Sequence, residues 1–172
     1  VGVDFNLKKV SVDGKNYKLQ LWDIAGQDRF GAIYRVYYKD SFGALIVFDV
    51  TDKSSFDSVL RWKREVDTKV KLPGGEDLPV VLVANKCDLE KRAVDMAILD
   101  DFCREHGFAA WVETSAKENI RVDDTIGTLV REVITHPNAF DAQRAAREAR
   151  AKDTAAVDLD AAGAPPGTGC CS

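Results

Sequence analysis

Leu19-Gln20-Leu21-Trp22-Asp23-Ile24-Ala25-Gly26-Gln27 decides how the chain is read. Tyr17, Leu19 and Leu21 alternate with Lys18 and Gln20, the period of a half-buried strand. That strand delivers Asp23 to its carboxyl end, followed by a glycine that permits close backbone approach and a glutamine in a loop. The grouping suits phosphate chemistry: a carboxylate can hold a hydrated Mg²⁺, a glycine N–H can meet a terminal phosphate oxygen, and a carboxamide can orient water. Asp-x-x-Gly alone is also an ordinary turn, so its weight depends on what the rest of the chain supplies.

Upstream, Phe5, Leu7, Val10 and Val12 alternate with a slip at Lys8-Lys9 that predicts a β-bulge. Asp13-Gly14 predicts a tight turn, so the first two strands form an antiparallel hairpin. From Gln27 to Lys39 no clean period holds; an irregular loop and a short helix over Tyr34–Lys39 are expected. Gly43 to Phe48 is a continuous apolar run, as in a strand covered on both faces. Ser54-x-x-Asp57 reads as a capping box, and Phe56, Val59, Leu60, Val66 and Val70 mark the buried stripe of the helix that follows. Pro73-Gly74-Gly75 closes it.

Val80–Ala84 reads as another buried strand. A helix from about Asp95 to Gly107 turns Leu99, Phe102 and Cys103 inward. Ala109–Val112 is a short strand, and Val122–Ile134 a helix ended by Pro137. A hairpin followed by three strand–helix units predicts an α/β fold: a mostly parallel sheet with right-handed crossovers and helices on both faces. Residues 1–137 form that domain. Residues 138–172 are read as a tail with a surface helix over Asn138–Lys152 and a linker too poor in apolar side chains to pack.

Composition bounds the function. With 172 residues, 45% hydrophobic and 30% charged, the chain suits one globular domain with a sizeable core. A net charge of −4 and the lack of a basic stripe argue against a general nucleic-acid binder. The longest apolar runs, Phe42–Phe48 and Leu78–Ala84, have strand length rather than the length of a bilayer-spanning helix. No leader pattern opens the chain. The four cysteines are irregularly spaced, which points to a reducing compartment rather than a disulfide framework.

Three polar clusters follow strands and so fall on one sheet edge, where open parallel sheets bind ligands. They are Asp23–Gln27, Asn85-Lys86-Cys87-Asp88 and Thr114-Ser115-Ala116-Lys117. The Asp88 carboxylate can accept from N1–H and the exocyclic amine of guanine, a donor pair adenine lacks. Asn85 can tie the neighbouring loops together, and the Lys86 stem can lie along the base. The Ala116 N–H can donate to the guanine O6, with Ser115 and Lys117 bracing its loop. The plain reading of each cluster is a polar turn before a capped helix; their shared edge favours a site.

Together with Val1-Gly2-Val3-Asp4-Phe5, Tyr17 to Phe30 and Tyr37-Tyr38-Lys39-Asp40, these motifs resemble the Rab-type small GTPases of the Ras superfamily, and the likeness runs to about Pro137. Ile24 and the long Lys71–Leu78 loop resemble the subgroup serving lysosome-related organelles. The resemblance implies a Ras-like G-domain that binds GTP and GDP with Mg²⁺ and acts as a switch in vesicle trafficking. In it Gln27 is catalytic, Asp23 holds Mg²⁺ through water, and Gly26, Asn85, Lys86, Asp88, Ser115, Ala116 and Lys117 bind nucleotide. Phe5, Trp22 and Tyr37 face effector proteins. Regulators implied are an exchange factor, a GTPase-activating protein, a prenylation escort and a GDP-dissociation inhibitor. Cys170 and Cys171 resemble a double-prenylation signal, and two lipids give stable anchoring. The tail offers little electrostatic help, because Asp141, Glu148, Asp153, Asp158 and Asp160 outnumber Arg144, Arg147, Arg150 and Lys152. The location implied is the cytoplasmic face of endomembranes, endosomal or lysosome-related, with a cytosolic pool.

One feature departs from that pattern. Residues 1–172 hold no Gly-x-x-x-x-Gly-Lys-Ser/Thr. The family's first strand, phosphate-cradling loop, first helix and switch threonine would precede Val1, so a fragment is expected, inactive alone, with a slot left in mid-sheet. The alternative is a non-catalytic interaction protein that keeps only base-contacting and effector surfaces. A flavodoxin-like domain is disfavoured, since Asn85–Asp88 has no part in binding flavin. Outside the site, Trp62 and Trp111 read as packing, Cys87 and Cys103 as small buried hydrophobes, and His106 and His136 as helix-end residues.

Overall fold

A computed structural model describes residues 3–24, 41–72 and 75–136. Two strands open the chain, β1 (Val3–Val12) and β2 (Lys15–Ile24), paired antiparallel in unbroken register from Val3↔Ile24 to Val12↔Lys15. Asp13 and Gly14 both take positive φ, 51° and 73°, the geometry that matches a two-residue turn to strand twist.

The bulge expected at Lys8-Lys9 is absent: the ladder is continuous there. The sequence slip instead records which face each apolar residue occupies. Lys8, Val10 and Val12 share the inner face, opposite Leu19, Tyr17 and Lys15, while Phe5 and Leu7 stand on the outer face. Phe5 pairs with Trp22 across the strands at a ring-centroid distance of 4.6 Å, and both remain exposed. The hairpin carries apolar residues on both faces, and only one of them is covered.

The remaining strands, β3 (Ala44–Asp49), β4 (Val80–Asn85) and β5 (Ala110–Thr114), form a parallel sheet in that order. β4 is central, and Val80 to Ala84 are each at most 5% exposed. Even-numbered residues Leu82 and Ala84 join Phe48, Phe56, Val59, Leu99 and Cys103 in one core. Odd-numbered Val81 and Val83 point to the other face by strand alternation. There Ile126, Val130 and Val133 of the last helix are also buried. Burying a Val or Leu side chain contributes about 1.5–3 kcal/mol, so this doubly covered strand contributes strongly to stability.

The helices are α1 (Lys53–Asp57), α2 (Val59–Lys69), α3 (Leu99–His106) and α4 (Val122–Ile134). Asp52, rather than Ser54, caps α1, its carboxylate accepting from the Ser54 N–H at 2.9 Å and from the Ser54 hydroxyl at 2.7 Å. Asp52 has the extended backbone of a cap, φ −124° and ψ 105°, which moves the start upstream. Gly107 ends α3 at φ +69°, a left-handed closure. β5 begins one residue later than expected and runs two residues further, to Thr114. The helix expected over Tyr34–Lys39 and the tail beyond His136 lie outside the described residues.

Among the described residues the hairpin and the parallel strands are separate sheets. Between them lies a cleft of about 620 Å³, walled by β2 on one side and β3, Trp62, Ile126 and Leu129 on the other. Lys8 of β1 reaches Asp123 of α4 at 2.5 Å, tying the hairpin to the rest.

Candidate functional site

The carboxyl edge of the parallel sheet is built by the turns that leave β3, β4 and β5. Asn85 closes β4, and its side-chain oxygen accepts from the Ala116 N–H at 3.1 Å and from the Thr114 hydroxyl at 3.3 Å. One carboxamide thus ties the loops, and the Ala116 N–H expected to face the guanine O6 is engaged by Asn85 instead. The backbone repeats the tie: Cys87 N–H donates to the Thr114 carbonyl at 2.9 Å, and Val50 N–H to the Asn85 carbonyl at 3.0 Å. Three strand ends are locked together at this point.

Ser115 is fully buried. Its hydroxyl acts on the Asp88 carboxyl, holding it below the ordinary aspartate range. Its oxygen also accepts from the Glu118 N–H at 3.1 Å. Paired backbone bonds between Ser115 and Ile120 close the loop between them, which leaves Ala116 and Lys117 exposed at its tip. Lys117 Nζ lies 3.0 Å from Glu118. A carboxylate kept ionised in this way can accept N–H groups from a ligand.

Lys86 takes φ +68° in the turn, and its ammonium meets the Asp49 carboxylate at 2.6 Å. Asp49 in turn accepts from the Thr51 N–H at 2.8 Å and hydroxyl at 2.7 Å. These bonds, with burial opposing them, hold the Asp49 carboxyl below its usual range; the same ion pair pushes the Lys86 ammonium up. Arg92 braces the turn from outside, donating to the Cys87 carbonyl and the Glu113 carboxylate at 3.1 Å each.

Six of the expected nucleotide residues thus stand on one edge: Asn85, Lys86, Asp88, Ser115, Ala116 and Lys117. Asp23 sits elsewhere, at the end of β2 on the wall of the cleft, with Asp4 as its cross-strand partner. It is exposed and offers the hard oxygen that Mg²⁺ prefers. The described residues bring together no group of three or more His, Cys, Asp or Glu able to hold a metal. Gly26, Gln27, Tyr37, Cys170 and Cys171 lie outside the described residues.

Elsewhere, Cys103 is buried, and burial pushes its thiol up to about 11, so it is an inert core residue. Cys87 is only partly buried, less than expected, because it lies in the turn after β4. Trp111 packs against the core with its indole N–H on Asp100 at 2.7 Å.

Asp49 and Thr51 were not among the expected site residues, although one signal could have found them. They follow the apolar run Gly43–Phe48, as Asn85 follows Val80–Ala84, and the same strand-end rule applies to both.

A parallel α/β sheet carrying an Asn-Lys-x-Asp turn braced against a Ser-Ala-Lys loop defines the class of protein: a G-domain-like α/β fold. A family model described as the Ras family matches residues 1–135. The chain is 49% identical over 142 residues to the Ras-related protein Rab-32 of Mus musculus, covering 81% of this chain and 64% of that protein. It is 49% identical over 138 residues to Rab-32A of Dictyostelium discoideum, covering 78% and 63%. Against Rab-7L1 of Homo sapiens it is 45% identical over 135 residues, covering 78% and 66%. The chain belongs to the Ras family and, within it, to the Rab proteins. The matched region spans just under two thirds of the length of these relatives.

Proposed function

We propose that the complete protein is a guanine-nucleotide-dependent switch in membrane trafficking, with the carboxyl edge of the parallel sheet as its base site. The observation that carries this reading is that the Asn85 carboxamide joins the Asn-Lys-x-Asp turn to the Ser115–Lys117 loop, accepting from the Ala116 N–H and the Thr114 hydroxyl. The carboxylate accepts two N–H groups from guanine, Lys86 flanks the ring, and the Ser115–Lys117 loop closes on the O6 side. Adenine offers no matching donors to the carboxylate, and a polar site left unpaired rejects the wrong ligand by orders of magnitude.

Hydrolysis is assigned to Gln27, which orients water, with Gly26 meeting a phosphate oxygen. Asp23 would hold Mg²⁺ through a water, and that cation, when bound, neutralises charge on the phosphates. Phe5 and Trp22, exposed on the outer face of the hairpin, suit an effector surface, with Tyr37 as its third member. Cys170 and Cys171 serve as lipid attachment points, which places the protein on the cytoplasmic face of endomembranes and makes it a client of prenylation and extraction partners. The similarity to Rab proteins supports endomembrane association, and the likeness of Ile24 and the Lys71–Leu78 loop to the subgroup serving lysosome-related organelles favours such a compartment.

The test is fluorescent-GDP binding to the full-length protein with unlabelled GDP and ADP as competitors. GDP should displace the probe at least about 10⁴-fold better than ADP, the discrimination expected when buried polar groups read a ligand. Equal displacement would refute the base site.

A further inference from the structure

We propose that Asp49 is a positioning residue of the base site: it captures the Lys86 ammonium, fixing the Lys86 stem as a wall and keeping that cation off Asp88. The proposal rests on the base-site reading above. Asp49 ends β3 directly beside Asn85 in the strand register, so it adjoins the Asn-Lys-x-Asp turn without belonging to it.

Asp49 is held more firmly than an ion-pair partner on a surface needs to be. One carboxylate oxygen accepts two bonds from Thr51, and the other meets Lys86 at 2.6 Å. Its backbone N–H donates to the Ser55 hydroxyl oxygen at 3.0 Å, and that hydroxyl also reaches the carbonyl of Asp52 at 2.7 Å. The side chain is 22% exposed, against 52% for Lys86. Lys86 is fixed at its other end too. Its left-handed backbone is pinned by the bonds from Val50 to Asn85 and from Cys87 to Thr114, and by Leu89 N–H donating to the Lys86 carbonyl at 3.1 Å. With both ends anchored, the four methylenes between them keep one course past the base position.

The second part follows from charge. Besides Asp49, the carboxylates that act on Lys86 are Asp52 and Asp88. Asp52 is committed to capping α1. An ammonium released from Asp49 has Asp88 as its remaining partner, and a carboxylate paired with lysine loses acceptor capacity for guanine.

The experiment is a double-mutant cycle on full-length protein, read as the GDP dissociation rate. Asp49→Asn keeps an oxygen for Thr51 and turns an amide NH₂ toward Lys86, so it breaks the ion pair while preserving the turn. It should speed GDP release about threefold, in line with a partly exposed ion pair. Lys86→Met keeps the stem and removes the charge; in that background Asp49→Asn should change release by less than about twofold. Thr51→Val, which loosens the carboxylate without removing it, should speed release by a smaller factor and covers the case in which Asp49→Asn fails to fold. Unchanged release in both Asp49→Asn and Thr51→Val overturns the proposal. So does equal acceleration by Asp49→Asn with and without the Lys86 charge, which would make Asp49 a plain staple between β3 and β4. Wild-type protein that binds no GDP refutes the base-site reading itself, and this inference with it.

Discussion

Replacing Asn85 with alanine separates loop bracing from ligand contact. Its side-chain oxygen accepts two bonds, from the Ala116 N–H at 3.1 Å and from the Thr114 hydroxyl at 3.3 Å. Neutral hydrogen bonds contribute about 1 kcal/mol net each, the longer one less. Ala116 is exposed, so its freed N–H turns to water at little cost. Thr114 is only 4% exposed, and a stranded hydroxyl there costs about 1–3 kcal/mol. Asn85→Ala should therefore destabilise the protein by about 2 kcal/mol before any nucleotide contact is considered. Urea unfolding at two fixed GDP concentrations measures it, because a tenfold rise in ligand adds about 1.4 kcal/mol to any variant that still binds. A variant within about 0.5 kcal/mol of wild type, after that correction, would show that the bond between the loops is not what joins them.

Three further outcomes follow from the same geometry. Ser115→Ala removes the hydroxyl that holds the Asp88 carboxyl low. A lowered folded pKa favours the ionised form above the ordinary aspartate range and is lost as pH falls through the lowered value, so the variant's GDP affinity should begin to fall at a higher pH than wild type's in an acid titration; superimposable profiles would contradict this. Gly43→Ala places a methyl 2.8 Å from Leu129 Cδ1 and 2.9 Å from Val133 Cγ2. It should cost about 1–3 kcal/mol in thermal or urea unfolding, because Val133 is stiff and α4 must move off β3. Gln27→Leu should slow single-turnover GTP hydrolysis by on the order of 10²-fold and leave GTP affinity nearly unchanged; wild-type hydrolysis would remove Gln27 from the mechanism.

The parallel sheet was legible because β4 is a run of five apolar residues with no competing period, and such a run has few other ways to be buried. The helix Val122–Ile134 was legible to the residue for a similar reason: its stripe is clean and its end is punctuated. The hairpin misled at Lys8-Lys9. Phe5 and Leu7 are exposed, so hydrophobicity did not mark the inner face, and a change of face looked like a bulge. The cap of α1 was misplaced because Asp52 and Ser54 are both good caps, and their difference lies in backbone geometry that spacing does not carry. Within the site, Asn85, Asp88 and Ser115 were readable from their spacing. Asp49 was missed because its contact with Lys86 runs across the sheet rather than along the chain, although its place at a strand end marked the position.

The base site itself is tested most directly by competition between GDP and XDP on wild type and Asp88→Asn of the full-length protein. Xanthine carries an oxygen where guanine carries the 2-amine, so a carboxamide at position 88 exchanges one acceptor for a donor and complements it. The wild-type protein should prefer GDP, and Asp88→Asn should weaken GDP binding and shift preference toward XDP. An unchanged preference in the variant would contradict the assignment of Asp88 to the guanine base.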